Sequence, residues 1–169
     1  MKLTKILQEV LSEIGDASKK PYPFTKTGET SETRRYQFKT HVGMDPEDGL
    51  EGPTYEVIVW NMDQGPNEPP TADVSFGVLD KDNEVEYDES TNRGDLYKVM
   101  STIAAIVKQD IDISGANRIH FSPSKRPGKF KDIDPKSNVR TQLYAKYIKS
   151  YWPEATVSTT SRKTILVSL

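Results

Sequence analysis

The chain of 169 residues contains no cysteine and only two histidines, His41 and His120. Without thiols there is no disulfide framework, no thiolate-held metal and no cysteine nucleophile, and two imidazoles are too few for a multi-histidine metal centre. Aromatic residues are scarce at 9%, hydrophobic residues reach 34%, and the mean hydropathy is −0.67. The core is therefore modest, yet the apolar residues cluster enough to exclude a wholly disordered chain. No apolar run approaches the roughly 18 residues that a membrane helix requires, and Met1 leads into an amphipathic pattern rather than a signal-peptide core. The expectation is a soluble, uncleaved protein with no membrane partner, folded as one domain over 1–169.

What the sequence does contain is periodicity. Leu3, Ile6, Leu7, Val10, Leu11 and Ile14 recur at helical spacing and Gly15 supplies a stop, so 1–15 reads as an amphipathic helix that packs on its own sheet. Residues 15–33 lack periodicity and read as a loop. Three β runs follow at 35–42, 55–60 and 72–79, bounded by turn-forming segments such as Asp45-Pro46-Glu47-Asp48-Gly49. They predict an antiparallel meander within 35–90, with a short fourth strand at 84–87 as an option.

The remaining half, 94–169, changes character. Leu96, Val99, Met100, Ile103, Ile106 and Val107 predict a helix over about 95–109, followed by a strand at 118–121. A proline- and lysine-rich loop, a helix over 137–151 and a terminal β pair complete the chain. The fold class is α+β: a single mixed, mostly antiparallel sheet flanked by helices, in the order α-β-β-β-(β)-α-β-α-β-β.

Few motifs carry chemistry. Asp80, Asp82, Glu84, Glu86, Asp88 and Glu89 begin like a calcium loop, but Val85 stands where glycine is required and Thr91 where the bidentate glutamate belongs. A solvated acidic turn is the better reading. Segment 118–149 holds nine Lys or Arg against two Asp, a net of +7 that leaves −9 for the rest of a chain of net charge −2. Lys125, Arg126, Lys129, Lys131 and Arg140 are thus candidates for phosphate or nucleic-acid binding, although lysine and arginine are ordinarily exposed without such a role. His120 lies beside Ser122, but strand neighbours point to opposite faces and there is no Gly-x-Ser-x-Gly elbow, so Ser-His-Asp catalysis is set aside. His41 has no partner identifiable in the sequence. At Arg93-Gly94-Asp95-Leu96 a glycine precedes a helix start, where backbone N–H groups can bind phosphate; a capped turn explains the same residues.

The order of elements, with Arg93-Gly94 before the central helix and Leu143-Tyr144 in the later one, resembles the GNAT acyltransferase fold. The resemblance implies that Arg93, Gly94, Asp95 and Leu96 bind the pyrophosphate of acetyl-CoA and that Tyr144 protonates the leaving thiolate; whether two central strands splay apart beside Gly94 is the observation that would bear on it most. The local sequence departs from that family's pattern in lacking the second glycine, in placing Asn138 one residue too close to Tyr144, and in having Arg140 where a small residue is usual. The stretch from Gly94-Asp95 through Ile119-His120-Phe121-Ser122 to Arg140-Thr141-Gln142-Leu143-Tyr144 also looks like small proteins encoded by tailed phages, which implies a viral origin and a place in the host cytoplasm or the virion.

Three functions are consistent with these readings. The first is a GNAT-like interaction module without catalysis, with a virion or host protein, or a second copy of the chain, as partner. Another is an acetyl-CoA-dependent N-acetyltransferase, and the last is a nucleic-acid-binding accessory protein acting through 118–149. A shared fold hosts unrelated functions, so the site must decide.

Overall fold

A computed structural model describes residues 20–41, 51–62, 65–86, 96–121, 147–159 and 165–169. Eight strands form one mixed sheet: β1 (Phe24–Glu29), β2 (Thr33–His41), β3 (Glu51–Met62), β4 (Thr71–Leu79), β5 (Val85–Glu86), β6 (Arg118–Phe121), β7 (Thr156–Thr159) and β8 (Ile165–Ser168). Helix α1 (Leu96–Ser114) lies between β5 and β6 in the chain, and residues 147–151 are helical. No helix among the described residues is long and apolar enough to cross a membrane.

The spatial order is β1-β2-β3-β4-β6-β8-β7, with β5 pairing β4. The first four strands form an antiparallel meander. β4 and β6 are parallel, so the chain needs a crossover between them, and α1 supplies it. β8 then pairs antiparallel with both β6 and β7. β4 shares its second edge: residues 71–74 pair with β6, and Val78 and Leu79 pair with β5.

Alternation explains which face is buried. Tyr36 and Phe38 of β2, Tyr55, Val57 and Val59 of β3, Ala72, Val74 and Val78 of β4, Ile119 and Phe121 of β6, and Val167 of β8 share one core cluster. β-branched and aromatic side chains at every second position suit a pleated, half-buried surface. Against them α1 lays Val99, Met100, Ile103, Ala104, Ile106, Val107 and Ile111, and Tyr147 and Ile148 join the same cluster. Gly115, at φ 67°, ends α1 by donating its N–H to the Ile111 carbonyl at 2.8 Å, a conformation that costs glycine nothing. At the other end of the sheet, Tyr22 donates its N–H to Thr102 Oγ1 at 2.8 Å and stacks on Phe38, which stacks in turn on Tyr55 with centroids 5.2 Å apart.

These elements correct parts of the sequence reading. The segment 15–33, read as a loop, contains β1, so the meander has four strands and begins at Phe24 rather than near residue 35. β1 escapes notice because its burial is slight and irregular: Lys26, Thr25 and Thr27 are exposed, and a register shift between Lys26 and Gly28 breaks its alternation. Its turn is set by Thr30, whose Oγ1 accepts from the N–H of Glu32 and of Thr33. The optional strand at 84–87 is real but only two residues long, and α1 runs five residues beyond its expected end at 109. The N-terminal helix with Leu3, Leu7, Val10 and Ile14, and the greater part of the helix at 137–151, lie outside the described residues.

Candidate functional site on the outer face of the sheet

The face turned away from α1 is polar where the core face is apolar. Register places one residue from each of six strands in a row across it: Thr33 on β2, Trp60 on β3, Asp73 on β4, His120 on β6, Leu166 on β8 and Ser158 on β7. In this row His120 Nδ1 is 2.8 Å from Asp73 Oδ1, and the two side chains are 22% and 20% exposed. A carboxylate only accepts hydrogen bonds, so Nδ1 is the donor of this contact. Trp60, paired directly with Asp73, is 41% exposed.

Ion pairs flank the row. Arg118, two residues before His120, reaches Glu68 at 3.2 Å. Beyond Trp60, Glu56 is buried and accepts from Arg35 and Gln37, each at 3.3 Å. The row thus combines a partly exposed indole with an oriented imidazole. The two stand on either side of Asp73, two strands apart.

A second polar cluster is buried between sheet and helix. Asp110 of α1 is fully buried and accepts from Arg34 Nε at 2.5 Å, Arg34 Nη2 at 2.8 Å and the Tyr36 hydroxyl at 2.8 Å. Arg34 Nη2 also donates to Asn61 Oδ1 at 2.7 Å. The hydrogen bond to Asp110 raises the pKa of Arg34. Burial first, and the hydrogen bond to Asp110 second, push the Tyr36 phenol well above its ordinary range. The cluster joins α1 to β2 and, through Asn61, to β3, so it reads as a structural lock.

Most residues singled out in the sequence fall outside the described residues: Arg93, Gly94, Asp95, Tyr144, Lys125, Arg126, Lys129, Lys131 and Arg140. Leu96 is the first residue of α1. Of the basic segment, Arg118 is engaged with Glu68 and Lys149 is exposed on the helical stretch 147–151. In the acidic stretch, Asp80 Oδ1 accepts from the N–H groups of Asp82 and Glu84, each at 2.8 Å, and Asn83 takes a left-handed φ of 61°. The beginning of that stretch is thus a β4–β5 turn held by its own carboxylate.

The His120–Asp73 pair was not visible to motif reading because 47 positions separate its members and a parallel crossover brings them together. One signal did exist: Asp73 is a poor strand former inside an otherwise strand-forming run. Comparisons with protein-family models, with curated proteins and with solved structures find no match to this chain.

Proposed function

We propose that this chain is a GNAT-like N-acetyltransferase that binds acetyl-CoA at the carboxyl end of its central parallel strands. The observation that carries the reading is the parallel pairing of β4 with β6, joined by α1, where the other pairings among the described strands are antiparallel. Such a pair directs its carboxyl ends, and the start of the connecting helix, to one edge of the sheet, where ligands of open α/β sheets characteristically bind.

On this reading the backbone from Gly94 to Leu96 accepts the pyrophosphate at the start of α1, Arg93 and Asp95 flank it, and Tyr144 gives a proton to the departing sulfur. The sequence also supports, as separate proposals, a tailed-phage origin, a place in the virion or host cytoplasm, a protein partner or self-association, and nucleic-acid contact through 118–149. The other reading of the same fold is a GNAT-like interaction module without catalysis, with a virion or host protein as its partner.

Isothermal titration of the full chain with acetyl-CoA tests it. Micromolar binding that Gly94→Trp abolishes is the expected result. Binding that is absent or only millimolar removes the enzyme from consideration.

A further inference from the structure

We propose that the β7 margin of the sheet is where two copies of this chain meet, with β7 adding antiparallel to β7 of the second copy so that one sheet runs through both. The proposal stands whether or not acetyl-CoA binds. Among the described residues β1 and β7 are the two margins of the sheet, and they are built differently. On β1, Lys26 and Glu29 form an ion pair, and the register shifts between Lys26 and Gly28. Charge and irregular register are devices that keep an edge strand from pairing with another chain. β7 has neither: Thr156, Val157, Ser158 and Thr159 are uncharged, and each pairs with β8 without a shift. Its backbone is thus a regular template for a further strand.

The side chains at this margin fit a second copy. Thr156 and Ser158 are exposed, and small hydroxyl-bearing residues face one another across a junction without opposing charge. Tyr151 and Trp152, shortly before the strand, and Val157 within it pack on the core yet stay half-buried, so they hold apolar surface for a neighbour to cover. Charge sets the orientation, because Glu154 precedes β7 in the sequence whereas Arg162 and Lys163 follow it. Antiparallel self-pairing brings the acidic end of each strand to the basic end of its partner, and parallel pairing brings like to like. Two antiparallel copies close as a two-fold dimer. A strand of four residues spans only about 13 Å, and stable interfaces bury about 800 Å² on each partner, so the dimer is reversible and dilute chains keep β7 as a margin.

Sedimentation equilibrium of the full chain tests this. The mass is expected to rise with concentration from one chain of 19.1 kDa toward two, and the β7 amides to gain protection from hydrogen exchange over the same range. Thr156→Lys with Ser158→Lys charges two exposed positions of the strand; it lowers the association constant about tenfold or more and keeps the parent's urea midpoint. Thr25→Lys, at an exposed position of β1, leaves association unchanged. Glu154→Lys weakens association about fivefold, since each dimer loses two exposed ion pairs, and combining it with Arg162→Glu and Lys163→Glu restores the parent value.

Mixing isotopically labelled with unlabelled parent chains locates the junction directly, through nuclear Overhauser contacts between β7 backbones of different chains. Their absence from the associated protein overturns the proposal. So does a mass that stays at one chain up to about 1 mM, or a Thr156→Lys, Ser158→Lys protein that associates like the parent.

Discussion

Asp110 is a carboxylate at zero exposure on the apolar face of a helix, and the three hydrogen bonds it accepts are what makes that position tenable. Removing water from a carboxylate and a guanidinium costs several kcal/mol per ion, so Arg34 and Asp110 are secure only together. Asp110→Ala leaves Arg34 buried without its counter-ion and is expected to cost about 3–5 kcal/mol in urea denaturation. The triple replacement Arg34→Met, Tyr36→Phe, Asp110→Leu removes both charges and the phenol that bonds to them at once, leaving only Asn61 of the cluster, and should recover most of that loss. A triple variant no more stable than Asp110→Ala would show that the lock adds stability beyond its own desolvation.

Tyr36 in the same cluster makes folding sensitive to alkali. Burial, then the neighbouring carboxylate, hold its folded pKa well above that of an unfolded tyrosine, which is about 10. Above that pH the unfolded chain loses the phenolic proton while the folded chain keeps it, so the native state binds more protons and stability falls as pH rises. Below it the contribution is fully present. Urea midpoints taken from about pH 8 to about pH 11 should therefore fall less steeply in Tyr36→Phe than in the parent. At neutral pH the same substitution forfeits one hydrogen bond, roughly 0.5–1.5 kcal/mol. Equal alkaline slopes in the two proteins would contradict this account.

At the scale of elements, legibility followed burial. β2, β3, β4 and α1 each carry one apolar face, and the alternation of Tyr36 with Phe38 or the spacing of Val99, Ile103 and Val107 announces it. β6 was expected at 118–121 and occupies those residues because Ile119 and Phe121 both enter the core. β1 has no such face, being held at the sheet edge chiefly by its backbone pairing to β2, and it went unread. The candidate site was less legible still. Phosphate-binding and basic motifs are local in sequence, whereas the row of Trp60, Asp73 and His120 exists only through register across three strands. No local pattern encodes a contact made by a parallel crossover, and an isolated aspartate in a strand is only a pointer.

At the scale of the whole molecule, β3 lies inside the sheet, paired on both sides by β2 and β4, whereas β7 lies at the margin beyond β8. The β6-β8-β7 portion joins the meander through the single parallel ladder to β4, although Ile119 and Val167 enter the same core as Val57 and Val59. Ladders at a sheet margin open locally at a lower free energy than central ones. Native-state hydrogen exchange should therefore find the amides of β3 exchanging only with global unfolding, with the steepest denaturant dependence. Those of β7 and β8 should exchange faster, through a smaller opening with a shallower dependence. The His120–Asp73 contact spans the junction between the two portions, so it is one of the bonds that this opening must break. Asp73→Asn is accordingly expected to accelerate exchange in β6 and β8 while β3 keeps a rate set by global stability. If all strands instead share one rate and one denaturant slope, and the substitution moves them together, the sheet is a single cooperative unit and the pair does not act as a clasp between two parts of it.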